Sequence, residues 1–206
     1  MTNWIPKSLV EVAGKPFIDW QLNLLAKQGV EHVVLCTGYL GEQIKGHVGT
    51  GKRFGLEIDY SCDGSEPLGT AGAIRKALPL LGSQFGVLYG DVYPFYDLTK
   101  AYKAFQYVDA DAMMVVRKPG RKNVLYDTGN GAIYEYGHGE HGDAGFSLFE
   151  HVAFAWFDAS LADLFNTLAE DGRLAGYEVT EPVYEVGSFE GLASFRSYVL
   201  HDLVPR

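Results

Sequence analysis

The segment FGVLYGD, residues 85–91, is the part of the sequence that decides the fold prediction. Its apolar residues are typical of a strand buried in a sheet, and Gly90 and Asp91 follow at the carboxyl end of that strand. The segments on either side, TAGAIRKALPLL (70–81) and LTKAYKAFQYV (98–108), carry helix formers, the second in an amphipathic pattern. A buried strand flanked by two helices predicts part of an open α/β sheet.

The same alternation of strands and helices continues on both sides of this segment. Residues 16–27 carry apolar side chains at helical spacing, and Gly29 is placed to end that helix. The other patterns are strands at HVVLCTG (32–38), LEIDYS (56–61) and DAMMVV (111–116), and a weak helix at LGEQIKGHVG (40–49). Together they predict a three-layer, Rossmann-like, mostly parallel sheet with helices on both faces.

After residue 117 the patterns change to those of antiparallel structure. Two strand patterns, KNVLYD (122–127) and GAIYEY (131–136), flank the turn sequence TGNG and predict a hairpin. Residues 159–172 have a helical pattern in which Ser160 and Asp163 show the spacing of a capping box. The remaining patterns are strand-like segments at 145–157, 176–181 and 183–187 and a last helix from Ser188 to about Val199.

These elements predict one domain over residues 1–202, in which the second half forms a small antiparallel lobe. The last four residues, LVPR (203–206), match the remnant of an engineered protease site and are left out of the fold prediction.

Composition narrows the class of protein. The 206 residues carry a formal net charge of −9 without a cluster of lysine or arginine, which argues against nucleic acid as the main partner. No apolar run approaches the roughly 20 residues that span a bilayer, and the N-terminus lacks a signal-peptide pattern. Cys36 and Cys62 lie in strand patterns and indicate neither a disulfide framework nor a zinc site, so we expect a reducing cytoplasm.

Two segments imitate functional motifs. GHVGTGKR (46–53) fits the phosphate-loop pattern except for Arg53, and it follows a helix instead of a strand, so a surface turn is the better interpretation. GHGEHGD (137–143) contains two histidines, but their spacing fits neither a metalloprotease helix nor a deaminase site. We interpret it as a polar loop between strands.

Ligands of open α/β sheets bind beyond the carboxyl ends of the strands. Gly69 and Thr70 stand at the start of a helix, where free N–H groups and the helix dipole favour a ligand, although glycine there also suits a tight turn. Asp91 either caps the following turn or holds a cation. Glu185 ends a strand pattern and could therefore contact a ligand. The alternative is a side chain that only contacts solvent.

Four segments in order resemble the sugar-1-phosphate nucleotidylyltransferase family over essentially the whole chain. They are PKSLVEVAGKPFIDWQLNLL (6–25), EPLGTAGAI (66–74), YGD (89–91) and YEVGSFEGL (184–192). The helix and strand at 161–179 also resemble the branch of heptose-phosphate guanylyl- and uridylyltransferases. The resemblance implies that a nucleoside triphosphate and a sugar 1-phosphate react, with Mg²⁺ as cofactor, to give a nucleotide sugar and pyrophosphate.

The resemblance also assigns roles to residues of this chain. It implies that Asp91 and Glu185 hold Mg²⁺ and that Lys7, with Asp91, is catalytic. The implied nucleotide-binding residues are Glu66, Leu68, Gly69, Thr70 and Gly90. The implied sugar-phosphate-binding residues are Asn123, Glu135, Asp143 and Gly145.

The sequence departs from the family pattern at three places. The family has a strand and a Gly-x-Gly-Thr-Arg loop ahead of its Pro-Lys segment, whereas residues 1–5 stand directly before Pro6 and Lys7 here. Glu185 stands where the family usually has aspartate, and Tyr136 follows Glu135 where many members have lysine. We therefore expect the first strand to be missing, activity to be impaired, and an exposed sheet edge that a second chain could pair.

Two other classes of function are compatible with the same residues. The main alternative is a non-catalytic protein that senses a nucleotide or nucleotide sugar, which the absent loop and lysine favour. A metal-dependent glycosyltransferase is a weaker alternative, because the Asp-x-Asp of that class is absent from GDVYPF (90–95).

Overall fold

The computed structural model describes residues 4–155 and 158–203, with the side chains of residues 155, 202 and 203 outside the description. The predicted tag remnant therefore lies outside the described residues except for the backbone of Leu203. The helices are α1 (Phe17–Lys27), α2 (Gly41–Val48), α3 (Gly69–Ala77), α4 (Leu98–Phe105), α5 (Val152–Ala155), α6 (Leu161–Glu170) and α7 (Phe189–Tyr198). No helix in this part of the chain is both long and apolar enough for a membrane span.

The strands are short and belong to several sheets. They are β1 (Glu11–Val12), β2 (Lys15–Pro16), β3 (His32–Thr37), β4 (Glu57–Cys62), β5 (Gln84–Leu88), β6 (Val92–Pro94), β7 (Ala112–Arg117), β8 (Val124–Tyr126), β9 (Ile133–Tyr136), β10 (Gly142–Glu150), β11 (Leu174–Val179) and β12 (Val183–Glu185). The chain divides into two compact units. Unit 1 comprises residues 1–67, 90–95 and 183–206, and unit 2 comprises residues 68–89 and 96–182.

Unit 1 contains the parallel pair β3–β4, the antiparallel pair β6–β12 and the hairpin β1–β2. Its two apolar clusters are organised by α1. Ile18 and Leu22 pack with residues of α2 and β4, whereas Phe17 packs with β6 and α7. Phe195 of α7 is fully buried, and its ring centroid lies 5.2 Å from that of Phe17 and 4.8 Å from that of Tyr93. This aromatic cluster fixes the position of α7.

Unit 2 is built on a four-stranded sheet with the order β11–β7–β10–β5. β11 and β7 are parallel, whereas β10 is antiparallel to both of its neighbours. The predicted hairpin is present as β8–β9. The core under the sheet contains Phe149 and Phe165, whose stacked rings lie 5.8 Å apart, and α6 begins with the predicted capping box of Ser160 and Asp163.

The α/β fold class and most of the predicted elements are confirmed, but three local expectations are corrected. Residues 152–155 form the helix α5 instead of a strand, and residues 156–157 of the same pattern lie outside the described residues. The hairpin β1–β2 was not predicted; its turn residues Ala13 and Gly14 have φ of +49° and +82°. The segment FGVLYGD is buried only at Phe85 and is exposed at Gly86.

The exposure of β5 has a simple cause. Within the described residues β5 lies at the end of its sheet and pairs only with β10, so one of its edges and part of its faces stay uncovered. β3 likewise pairs only with β4 among the described strands. Each unit therefore has a strand that pairs on one side only among the described strands, and the pairing of such an edge with a second chain stays a prediction.

We expect Phe195→Ala to lower the free energy of unfolding by about 3–5 kcal/mol, because it removes a fully buried ring from the centre of the aromatic cluster of unit 1. Urea unfolding followed by circular dichroism measures the change. Phe189 lies on the same helix and is 78% exposed, so Phe189→Ala should stay within about 0.5 kcal/mol of the wild type. Equal effects of both variants would contradict the packing described for α7.

Candidate active site

Two carboxylates converge in unit 1 on one glycine. β12 runs antiparallel to β6 with Glu185 opposite Val92, and the Val186 N–H donates to the Asp91 carbonyl over 2.8 Å. A methyl group at Gly187 would lie 3.2 Å from Asp91 Oδ2 and 3.9 Å from Glu185 Oε1. Both carboxylates therefore approach the backbone of Gly187, where a side chain would crowd Asp91.

The start of α7 holds this strand end in place. Ser188 caps the helix and accepts from the Gly191 N–H over 3.0 Å. A methyl group at Gly191 would lie 1.7 Å from the Glu185 carbonyl oxygen, so only glycine allows the helix to approach β12 so closely. On the β6 side, the Gln21 side chain donates to the Val92 carbonyl over 2.7 Å. Both strands of the pair are thus fixed from outside it.

The carboxylate pair has the chemistry of a partial Mg²⁺ site. Magnesium prefers oxygen ligands and is usually held by one or two carboxylates, with water and substrate phosphates completing the octahedron. In the described part of the chain, no cluster of three or more histidine, cysteine, aspartate or glutamate residues could hold a metal alone. Asp91 and Glu185 therefore fit a metal that arrives with a phosphate ligand better than a metal held by protein alone.

The other predicted residues of unit 1 are less constrained. Lys7 begins a 3-10 turn, Lys7–Leu9, and its side chain is exposed. Gly90 directly precedes Asp91, and Glu66 is exposed in the segment before α3. The structure shows their positions in the chain, and their roles stay predictions.

In unit 2, the start of α3 borders a cavity of about 550 Å³. Leu68 is the N-cap residue, and Gly69 has φ of +69°, a conformation that favours glycine. The residues that line the cavity come from α3, from two tyrosines and from the start of α6. They are Leu68, Gly69, Thr70, Ala71, Gly72, Arg75, Tyr89, Tyr136, Asp158, Ala159, Ser160, Leu161 and Ala162. The predicted loop thus borders a space of ligand size.

Three of the four predicted sugar-phosphate residues come together around a bulge in β10. Asp143 Oδ1 accepts from the Gly145 N–H over 2.7 Å, and the Asp143 N–H donates to Asn123 Oδ1 over 3.1 Å. The two tyrosines of this cluster, Tyr89 and Tyr136, are not among the residues predicted for the site. The Tyr89 hydroxyl donates to Asp143 Oδ2 over 3.2 Å, and the Tyr136 hydroxyl is hydrogen-bonded to Asp143 and Asn123.

The surroundings of Asp143 change its acidity. Burial raises the pKa of its carboxyl above the ordinary value of 3.8, and the Gly145 N–H and the hydroxyls of Tyr89 and Tyr136 partly offset that rise. Burial and the neighbouring Asp143 also raise the pKa of the Tyr89 hydroxyl, so this group stays a proton donor near neutral pH. The cluster therefore offers several fixed hydrogen-bonding groups.

Glu135, the fourth predicted residue, is not part of this cluster. Successive side chains of a strand point to opposite faces, and Tyr136 is the β9 residue that reaches Asp143. Glu135 Oε1 instead lies 2.6 Å from His138 Nδ1.

The first of the two imitation motifs has a structural role. GHVGTGKR forms the end of α2 and a turn in which Gly49 and Gly51 have positive φ, as predicted. Its side chains contact a buried aspartate of α1: Asp19 Oδ1 lies 2.6 Å from His47 Nε2 and 3.0 Å from Arg53 Nη2. In the second segment, GHGEHGD (137–143), the side chain of His141 is buried.

The family model described as "Nucleotidyl transferase" matches residues 1–132. The chain belongs to the nucleotidyl transferase family. The matched range contains Lys7, Gly69, Asp91 and Asn123, whereas Glu185 lies beyond it.

Curated relatives agree with the membership in the nucleotidyl transferase family. N-acetylmuramate alpha-1-phosphate uridylyltransferase of Neisseria meningitidis serogroup B is 43% identical over 50% of this chain and 45% of its own length. D-glycero-alpha-D-manno-heptose 1-phosphate guanylyltransferase of Aneurinibacillus thermoaerophilus is 34% identical over 60% of this chain and 53% of its own length. The chain thus spans about half the length of these relatives. HddC from Yersinia pseudotuberculosis shares the fold, with a TM-score of 0.83 at 20% identity over 96% of this chain and 91% of that chain.

The raised pKa of Asp143 predicts a pH dependence. The folded state binds this proton more tightly than the unfolded chain, so the contribution of Asp143 to stability is lost as the pH rises from 3.8 through the raised pKa. Asp143→Asn cannot ionise, so its free energy of unfolding should rise relative to the wild type across this window. Urea titrations between pH 3.5 and 7 (about one titration per half unit) measure the difference.

Asp163 provides a control of opposite sign. Hydrogen bonds from Ser160 lower the pKa of Asp163, so its stabilising contribution is present above pH 3.8 and lost as the pH falls through the lowered pKa. Asp163→Asn should therefore lose stability relative to the wild type as the pH rises. If the difference in free energy of unfolding between Asp143→Asn and the wild type does not change with pH, the raised pKa of Asp143 is contradicted.

Proposed function

We propose that this chain transfers a nucleotidyl group from a nucleoside triphosphate to a sugar 1-phosphate and releases pyrophosphate. The observation that carries the proposal is the convergence of Asp91 and Glu185 on Gly187, in a chain that belongs to the nucleotidyl transferase family. The names of the curated relatives, a uridylyltransferase and a guanylyltransferase of sugar 1-phosphates, support the same reaction.

The reaction is a single displacement at phosphorus. An oxygen of the sugar phosphate attacks the α-phosphorus of the nucleotide, the new P–O bond forms, and the bond to the β-phosphate oxygen breaks with its electron pair leaving on pyrophosphate. No covalent intermediate with the protein is needed. The task of the protein is to position the two anions and to offset their charge.

Several groups of the chain would serve this task. Asp91 and Glu185 would hold Mg²⁺, which when bound offsets the negative charge of the phosphates. The exposed ammonium of Lys7 would offset part of the charge of the attacking phosphate. The N–H groups at Gly69 and Thr70, at the start of α3, would bind the nucleotide.

The Asp143 cluster would bind the sugar. Its carboxylate accepts hydrogen bonds from sugar hydroxyls, while the hydroxyl of Tyr136 and the amide of Asn123 offer further partners. Three donors already orient Asp143, so the site is preorganised before the sugar arrives. Tyr136 stands where many family members have lysine, which leaves Lys7 as the proposed cation for the sugar phosphate.

The base is guanine or uracil in this proposal, as the names of the relatives suggest. We place the protein in the cytoplasm, in keeping with a sequence whose two cysteines, Cys36 and Cys62, do not indicate a disulfide framework. A homo-oligomer that covers an open strand edge is a further part of the proposal.

Substitution of the carboxylates tests the proposed function. We expect Asp91→Asn and Glu185→Gln each to lower the rate of Mg²⁺-dependent pyrophosphate release by a factor on the order of 10²–10³, because each removes a charge that offsets the phosphates. Release is measured with GTP and UTP against hexose and heptose 1-phosphates. Glu185→Asp keeps the carboxylate and should retain more activity than Glu185→Gln.

The control is Glu170→Gln, an exposed carboxylate at the end of α6, which should leave the rate unchanged. Wild-type rates in Asp91→Asn would exclude the proposed metal site. Nucleotide binding without pyrophosphate release by the wild type would instead favour the non-catalytic sensor.

A further inference from the structure

The cavity of unit 2 has a charged edge to which the proposed function gives no role. Arg75 of α3 and Asp158, which precedes α6, both line the cavity, and Arg75 Nη2 lies 2.6 Å from Asp158 Oδ1. A donor group and an acceptor group thus stand side by side at the rim of a cavity that begins at the predicted nucleotide-binding loop.

The walls of the cavity suit a flat ring. Gly69 and Gly72 have no side chains, and a methyl group at Gly69 would meet no atom within 4 Å, so a ligand can approach the backbone there. Tyr89 and Tyr136 supply aromatic rings to the same cavity. Every nucleobase has a π face that can pack on such rings, so these walls favour a base without selecting one.

The ion pair itself contributes little to stability. The side chains of Arg75 and Asp158 are 39% and 89% exposed, and exposed ion pairs add little to the free energy of unfolding. A guanidinium carries five N–H donors and a carboxylate about four acceptor positions, which is more than a single ion-pair contact uses. The pair can therefore hydrogen-bond a ligand while it stays intact.

We propose that Arg75 and Asp158 read the edge of the nucleobase and select the keto bases guanine, uracil and thymine. A keto base presents a carbonyl oxygen next to a ring N–H. The carbonyl accepts from the Arg75 guanidinium, and the ring N–H donates to the Asp158 carboxylate. This inference rests on the proposed function, because it takes the cavity as the site of the base.

The same pair rejects the amino bases. Adenine and cytosine present an amino group where a keto base has its carbonyl, and an unprotonated ring nitrogen where a keto base has its N–H. The amino N–H groups would then face the guanidinium, and the nitrogen lone pair would face the carboxylate. Selectivity comes from this mismatch as much as from the favourable contacts.

Equilibrium binding of GTP, UTP, ATP and CTP in the presence of Mg²⁺ tests the inference. We expect the wild type to bind GTP and UTP about tenfold or more tightly than ATP and CTP, the discrimination typical of a paired donor and acceptor on a base edge. Arg75→Gln and Asp158→Asn should each reduce this preference to about threefold or less. Lys118→Gln and Glu140→Gln remove an exposed ion pair outside the cavity. They should leave the preference for GTP and UTP unchanged.

A charge swap separates recognition from a structural role. Arg75→Asp combined with Asp158→Arg keeps an ion pair between α3 and the segment before α6 but exchanges the donor and acceptor positions. Base reading predicts that the swap fails to restore the keto preference, even where its unfolding temperature matches that of the wild type. Restoration by the swap, equal affinities of the wild type for all four nucleotides, or no nucleotide binding would each overturn the inference.

Pyrophosphate release distinguishes this inference from the proposed function. Selective binding that the two variants abolish, without pyrophosphate release, leaves the base reading standing and refutes the transferase. Pyrophosphate release at equal rates with all four triphosphates would support the transferase and refute the base reading.

Discussion

The candidate site of unit 1 depends on the antiparallel pairing of β6 with β12. This pairing brings together two carboxylates, those of Asp91 and Glu185, that are far apart in the sequence. The hydrogen bond from the Val186 N–H to the Asp91 carbonyl sets the register. Gly187 leaves room for both side chains, and Gly191 lets α7 rest against the Glu185 carbonyl.

Unit 2 uses polar groups in a different way. The bulge in β10 turns Asp143 towards two tyrosines, and the carboxylate is held by donors before any ligand binds. The cavity beside it shares Tyr89 and Tyr136 with this cluster. The same two rings thus contact both the proposed base cavity and the proposed sugar site, and a change at either tyrosine should affect both.

Much of the fold could be predicted from the sequence, and so could the positions of two candidate site residues. Asp91 follows a strand pattern and Glu185 ends one, and strand ends in α/β sheets are where ligands bind. Their role in metal binding stays a prediction. The capping box of Ser160 and Asp163 is local and was predicted correctly. Tyr89 and Tyr136 were missed because tyrosine in a strand pattern is typical of a packed sheet, and only the β10 bulge makes them partners of Asp143. The burial of β5 was overestimated. Burial depends on where a strand lies in the sheet, and the sequence of the strand itself does not give that position.

In the proposed function, Asp91 and Glu185 act as one metal site. The most direct test is to titrate Mn²⁺, a spectroscopic substitute for Mg²⁺, into the protein with a non-hydrolysable nucleotide and to follow free Mn²⁺ by electron paramagnetic resonance. A shared site predicts that Asp91→Asn and Glu185→Gln each weaken binding about tenfold or more, and that the double variant loses less than the product of the two effects. Wild-type Mn²⁺ affinity in Glu185→Gln would contradict the claim.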